Sequence, residues 1–448
     1  MSWLVENFKK FGSKIAIIHN DEKYTYKDLY NKINEFLNEI KKEIKIGEVV
    51  AILGDYSFEN IALLLALHLN KNIIVPITST KGNEIKERLK EANCDKVIRI
   101  DNRKLIIDNL NYKDKHQFIK TLQKKKHSGL ILFSSGSTGK PKAMIHDFDN
   151  LVNYYKGKKE KNINMLIFLM FDHIGGLNTL LNILSIGATA IIPKNRNADE
   201  VCKLIEKYKI RVLPASPTFL NLILISKSYE KYDLSSLKMI TYGTEPMPET
   251  LLKRLKQTFP KVRFLQTFGT SETGIANTYS KSSDSTFMKI DDPDIEYKIV
   301  NGELWLRSKT QVLGYLNAPM DSFTEDGWFK TGDLVEITDD GYIRIIGRSK
   351  EIINVGGEKV LPQEVETIIL EIPEVIDCIV YGERNPITGQ TVVADVVIKD
   401  GIDKKEAKRK IRKHCIKKLD NYKVPTKINF LEEINIGNRF KKIRRKDA

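Results

Sequence analysis

Short apolar segments alternate with stretches of helical periodicity, and that alternation leaves the chain few architectures to choose from. Strand-like runs stand at residues 14–18, Val49–Leu53, Asn72–Ile77, Leu130–Phe133, Met165–Met170 and Ala188–Pro193. Between the first two, Leu29, Ile33, Phe36, Leu37 and Ile40 fall on one face of a helix. Thr25, with Asp28 three positions on, supplies the capping box that starts it. Strands and helices in alternation predict an α/β fold with mostly parallel sheets flanked by helices. Ligands in such folds gather at the C-terminal ends of the strands.

From about Asn301 the pattern changes. Gly302–Arg307 and Tyr342–Ile346 read as strands, and Asp340-Gly341 as a hairpin turn. After Arg348 a separate, small α+β unit begins. It has a helix near Pro362–Leu370, strands at Val375–Tyr381 and Val392–Ile398, and a basic amphipathic helix near Lys404–Leu419. A chain of 448 residues has room for more than one core. The expected division is a large N-terminal domain, 1–349, and a small C-terminal domain, 350–448.

The formal charge of +15 would suit a nucleic acid or an anionic membrane. The lysines, however, are spread through a chain that is also rich in Ile and Asn. Runs such as Lys124-Lys125-Lys126 and Lys158-Lys159 fall beside loops, where they read as solvated surface. No nucleic-acid partner is expected. The four cysteines, Cys94, Cys202, Cys378 and Cys415, are too scattered for a disulfide framework or a zinc site. Residues 1–6 carry no secretory signature, and the apolar stretch Ile61–Leu69 is too short to span a bilayer. These features predict no membrane span and a reduced, cytoplasmic setting.

The segment Leu130–Lys142, L-I-L-F-S-S-G-S-T-G-K-P-K, runs from a buried strand into a loop of hydroxyls, glycines and lysines. Glycines let backbone N–H groups approach an anion, hydroxyls donate to it and lysines neutralise it. The candidate phosphate ligands are Ser134, Ser135, Gly136, Ser137, Thr138, Gly139, Lys140 and Lys142. The loop is not a Walker A motif. Ser134 stands where that motif needs its first glycine, and Pro141 follows Lys140 where it needs Ser or Thr.

This loop resembles the phosphate loop of the acyl-adenylate-forming enzymes, a superfamily of acyl-CoA synthetases, peptide-synthetase adenylation domains and luciferases. Further segments, spread over nearly the whole chain, are similar to it in order. Tyr242-Gly243-Thr244-Glu245-Pro246 resembles the lining of the adenine pocket. Phe268-Gly269-Thr270-Ser271-Glu272-Thr273-Gly274 resembles an aromatic-Gly-x-Thr-Glu segment with Ser271 in place of Thr. By that resemblance Thr270 and Ser271 contact phosphate or the acyl carboxylate, and Glu272 holds Mg²⁺. Thr331-Gly332-Asp333 implies that Asp333 accepts from the ribose hydroxyls. Gly347-Arg348-Ser349-Lys350 implies a nucleotide contact at Arg348 and an interdomain hinge at Lys350. Gly356-Gly357 implies a loop that swings in for the thiol step, with Lys359 meeting the nucleotide of CoA. His173, in Phe171-Asp172-His173-Ile174-Gly175-Gly176, borders the acyl pocket by the same resemblance. Near the C-terminus, Gly437-Asn438-Arg439-Phe440-Lys441-Lys442-Ile443 is similar to the family's Gly-Lys-apolar motif. Matching Lys442-Ile443 makes Lys442 the catalytic lysine, with Lys441 in place of Gly and as the neighbouring alternative.

The resemblance implies a mobile C-terminal lid and an ATP-dependent ligase. It would activate a small-molecule carboxylic acid as acyl-AMP and pass the acyl group to a thiol of CoA or of a carrier protein's phosphopantetheine. Two alternatives stand beside it. One is an amino-acid adenylating enzyme serving a carrier protein, with Asp172 holding the substrate amine. The other is a non-catalytic nucleotide-binding homologue.

Overall fold

The structure, a computed structural model, describes residues 2–110, 112, 115–134, 140–437 and 440–444. The first long helix, Tyr26–Glu43, begins where its capping box predicts. The Asp28 amide donates to Thr25 Oγ1 at 3.0 Å, and the Thr25 amide donates to Asp28 Oδ2 at 2.8 Å. Leu29, Ile33, Phe36 and Ile40 are buried on one stripe, and the helix packs against the apolar helix Phe58–Leu69.

Two seven-stranded sheets, each flanked by helices, form the large domain. In the first, Arg263–Gln266, Met239–Tyr242, Val212–Ala215, Asn164–Leu166, Thr189–Ile192 and Ile15–His19 run parallel in that spatial order. Glu22–Thr25 closes the edge antiparallel. The strand expected over Met165–Met170 is shorter, Asn164–Leu166, because the chain turns away toward Asp172. In the second sheet Val49–Leu53, Ile73–Ile77, Lys96–Asp101 and Gly129–Phe133 are parallel. The strand after the glycine-rich loop, Ala143–Asp147, returns antiparallel to Gly129–Phe133, with Phe133 opposite Ala143. The loop therefore tops a hairpin and opens no helix. The largest apolar cluster, which includes Phe8, Tyr26, Phe36, Leu64 and Leu132, draws on both sheets and the helices between them.

A six-stranded sheet follows within residues 278–348, with every pairing antiparallel. The change of character expected near Asn301 thus begins earlier, at Thr278. Its first strands, Thr278–Ser280 and Met288–Ile290, are three residues each, too short to show alternation. Beyond Arg348, strands Ile353–Val355, Glu358–Val360, Val375–Asn385, Gly389–Ile398 and Lys427–Phe430 form a further sheet of their own. Helices Pro362–Ile369 and Lys404–Lys418 pack with it, the latter burying Ala407, Ile411 and Cys415 at four-residue spacing. The two-domain layout and the mixed α/β class are those the sequence predicts. Among the described residues no helix is long and apolar enough to cross a membrane. All four cysteines are buried and unpaired.

Thr25→Ala deletes one half of the capping box. It is expected to cost about 1 kcal/mol of stability, read as a lower urea midpoint for the large domain. An unchanged midpoint would show that the first core helix does not depend on its cap.

Candidate active site

The base of the glycine-rich loop is laced shut. The Ser134 amide donates to the Lys142 carbonyl, and the Lys142 amide to Ser134 Oγ, both at 3.0 Å. Asn317 reaches in from a distant segment. Its Oδ1 accepts from the Ala143 amide at 2.8 Å, and its Nδ2 donates to the Pro141 carbonyl at 3.0 Å. No motif singled out Asn317; it acts through a contact that only the fold creates. Lys140 is exposed and Lys142 half-buried. Ser135, Gly136, Ser137, Thr138 and Gly139 lie outside the described residues.

Lys142 leans on the ring of Tyr315, with Nζ 4.5 Å from its centroid. The hydroxyl of the same tyrosine donates to Glu272 Oε1 at 3.0 Å. Tyr315 thus lies between the phosphate loop and the candidate metal carboxylate, and sequence reasoning passed over it. No described residue donates to Glu272 Oε2. A carboxylate oxygen beside a phosphate-type loop suits a hard divalent cation, so Glu272 fits Mg²⁺. Glu272 occupies the turn between strands Phe268–Thr270 and Gly274–Ala276. Thr270 holds that turn: its hydroxyl pairs with Thr273 Oγ1 at 2.9 Å and accepts from the Thr273 amide at 3.1 Å. A Cβ on Gly269 would meet the Gly274 carbonyl oxygen at 2.3 Å, so only glycine fits. Phe268 is buried, while Ser271 is half-buried on the turn.

Beside this hairpin lies Tyr242-Gly243-Thr244-Glu245. A Cβ on Gly243 would come within 2.7 Å of the Thr267 carbonyl oxygen, so the two segments touch at backbone level. Thr244 adopts a left-handed conformation, φ +74°, unusual for a β-branched residue. Among the described residues its hydroxyl is buried without a hydrogen-bond partner. Strain and an unsatisfied hydroxyl side by side suit a position shaped for a ligand. Glu245 Oε1 accepts from the Thr218 amide at 2.7 Å. Desolvation pushes the Glu245 carboxyl upward in pKa, against the Thr218 hydrogen bonds and the charges of Lys442 and Lys441.

Asp333 stands directly across two antiparallel strands from Arg348, whose Nε donates to Asp333 Oδ1 at 2.9 Å. Asp333 is 4% exposed. Burial raises its pKa, and the charges of Arg348 and Lys441 work against that rise. Asp333 in turn raises the pKa of Arg348, with smaller contributions from Glu351 and Glu272.

The structure separates the two candidate lysines. Lys442 Nζ donates to the Cys378 carbonyl at 2.9 Å and pairs with Asp377, inside the small domain. Burial alone would lower its pKa; Asp377 and Glu366 outweigh that and hold it above the usual lysine value. An ammonium so engaged is committed to its own domain. Both lysines influence Glu245, but Lys441 is the one that also acts on Asp333.

His173 caps helix Ile174–Ser185, its Nδ1 accepting from the Gly175 amide at 3.0 Å. Asp172 is buried and paired with Arg88 at 2.9 Å, so its charge is already neutralised. Lys350 is exposed on the single turn Ser349–Glu351. Gly356 and Gly357, at φ +62° and +96°, form the exposed turn of the hairpin Ile353–Val360. That turn is held by Gly356 N–H to the Thr388 carbonyl and Gly357 N–H to Asn354 Oδ1. Lys359 is exposed on the same hairpin. The structure thus joins Lys142 to Glu272 through Tyr315 and pairs Asp333 with Arg348, and it leaves Gly356, Gly357 and Lys359 on a surface turn. An apolar cavity, lined by Leu130, Phe148, Tyr155, Ile174, Leu177 and Ile275 among others, lies behind the Glu272 hairpin.

Comparison with known proteins agrees with this fold. The chain is 31% identical over 345 residues to the probable CoA ligase CCL5 of Humulus lupulus, covering 71% of this chain and 62% of that protein. It is 33% identical over 345 residues to acyl-CoA synthetase 7 of Caenorhabditis elegans, covering 70% and 63%. These alignments span less than two thirds of those relatives' own length. With the 2-succinylbenzoate–CoA ligase of Bacillus licheniformis, 25% identity extends over 98% of both proteins. Among solved structures, an anthranilate CoA ligase in complex with anthranoyl-AMP superposes with a TM-score of 0.81 at 21% identity, covering 98% of this chain and 95% of that one. The AMP-binding enzyme model matches residues 4–316, and the AMP-binding enzyme C-terminal domain model residues 364–441. The chain belongs to the AMP-binding enzyme family.

Proposed function

We propose that the chain is an acid–thiol ligase that converts a carboxylic acid and ATP to acyl-AMP and pyrophosphate, then transfers the acyl group to CoA or to phosphopantetheine. The observation that carries this reading is Tyr315, set between Lys142 of the phosphate loop and Glu272, together with the Asp333–Arg348 pair of the same domain. An anionic carboxylate must approach a polyanionic triphosphate, so charge neutralisation is the main requirement for catalysis. Ser134, Lys140 and Lys142, with the loop between them, would hold the pyrophosphate portion. Asp333 would accept from the ribose hydroxyls, and Gly243, Thr244, Phe268 and Gly269 would border the adenine. Mg²⁺, held by Glu272, would screen the phosphate charge. Lys441 would bridge the carboxylate and the α-phosphate oxygens as charge develops. Thr270 would keep the Glu272 turn rigid, with Ser271 facing phosphate or carboxylate.

The relatives' names describe CoA ligases and acyl-CoA synthetases, which favours thiol transfer as the second step. We place the domain boundary at 349/350, with Lys350 as hinge. Rotation there would withdraw Lys441 and bring Gly356, Gly357 and Lys359 toward the cleft for the thiol.

Pyrophosphate release from ATP and Mg²⁺, without thiol, is measured over a panel of carboxylic acids and amino acids. Release with one class of carboxylic acid, followed by AMP release on adding CoA or a phosphopantetheine carrier, is the expected outcome. Release with amino acids alone would favour the alternative. Lys441→Ala is expected to slow adenylation by roughly 10²- to 10³-fold, the scale of losing one preorganised charge donor; adenylation at the native rate would exclude Lys441. Lys442→Ala leaves Asp377 buried and unpaired, and should destabilise the small domain by about 3–5 kcal/mol. Thermal unfolding of that variant at the native temperature would contradict a structural Lys442. Lys350→Pro should slow thiol transfer more than adenylation, and equal losses would argue against the hinge.

A further inference from the structure

Phe440, one residue before Lys441, crosses from the small domain to the large one. Its ring packs against Phe168 at 4.9 Å and Phe219 at 5.8 Å between centroids. Those two rings are fully buried and lie 4.1 Å from each other. The Phe440 carbonyl accepts from Ser216 Oγ at 2.8 Å. Ser216 is held in turn: it caps helix Pro217–Ser226, its Oγ accepting from the Phe219 amide at 3.1 Å. The slot therefore belongs to the framework of the large domain and does not depend on the tail.

The backbone at Phe440 is left-handed, φ +53°. A bulky residue adopts that conformation only where its surroundings impose it. Two groups impose it here. On one side are Ser216 and the aromatic slot. On the other, Lys442 is pinned to Asp377 and Arg444 to Glu366 within the small domain. The Phe440 amide also donates to the Gly437 carbonyl, and the Gly437 amide to the Lys441 carbonyl, both at 2.9 Å, closing a tight loop around the lysine. Lys441 is suspended between an anchor in each domain.

We infer that Phe440 is a positioning residue for adenylation: its ring, seated against Phe168 and Phe219, sets Lys441 in the cleft and must leave that slot before the small domain can turn to the thiol step. The inference rests on the reading of Lys441 given above. It makes the aromatic contact a determinant of how the enzyme divides its time between the two half-reactions. A tail without the ring would present the same lysine less often.

Phe440→Gly tests the ring separately from the backbone, because glycine accepts the left-handed conformation freely. Adenylation by Phe440→Gly should fall at least tenfold in kcat with the KM for ATP little changed. Thioester formation from preformed acyl-AMP and thiol should proceed at the native rate or faster. Phe440→Tyr, which keeps the ring, should restore most of the adenylation rate. Trypsin cleavage near Lys350, in protein saturated with ATP and acid, should be faster in Phe440→Gly than in the native protein. Native adenylation by Phe440→Gly, with native cleavage, would overturn the inference, as would equal slowing of both half-reactions. Lys441→Ala assayed in parallel separates the two readings. If it leaves adenylation intact, the role given to Lys441 fails; if it abolishes adenylation while Phe440→Gly does not impair it, only the anchor fails.

Discussion

The pair of buried Asp333 and the more exposed Arg348 is the interaction on which the site depends. A carboxylate at 4% exposure is costly unless a cation meets it. Arg348 does so from the adjacent strand, because the register of Phe329–Ile337 against Ile343–Arg348 places the two opposite each other. Arg348 is also the last residue before the turn Ser349–Glu351 that leads into the small domain. One ion pair thus joins the nucleotide-facing edge of the large domain to the start of its connection with the small one. When Lys441 comes in, it adds a second positive charge to the same carboxylate. Asp333 is therefore where the state of the small domain is felt electrostatically. The pair is held by strand register, which fixes Arg348 opposite Asp333.

The parts of this architecture that were readable in sequence are those encoded within a few residues. Thr25 and Asp28 specify a helix start by direct contact, and the structure has it. The stripe from Leu29 to Ile40 needs only helical spacing. The glycines at 243 and 269 belong to short motifs whose close backbone approaches follow from missing side chains. What could not be read depends on contacts between distant segments. Asn317 clamps the base of the loop from across the sheet, and Tyr315 links Lys142 to Glu272. Neither residue type is diagnostic alone. The antiparallel return of Ala143–Asp147 was equally hidden, because a strand pattern does not state its direction. Strands of three residues, such as Thr278–Ser280, are too short for alternation to register.

The apparent ambiguity between Lys441 and Lys442 has a geometric resolution. In extended chain, alternate side chains point to opposite sides. Lys442 bridges to Ile436, and both Lys442 and Arg444 turn toward the small domain, to Asp377 and Glu366. With 442 and 444 turned to one side, alternation points 441 to the other, in keeping with the role proposed for it. Motif matching favours Lys442 because an isoleucine follows it. The structure shows what the side chains of Lys442 and Arg444 bury against. Asp377 and Glu366 are themselves buried acids that need cations, and the tail provides one at each second position. The same alternation that satisfies those acids leaves Lys441 turned toward Asp333 and Glu245, so the stability of the small domain and the aim of the cleft lysine are consequences of a single backbone register.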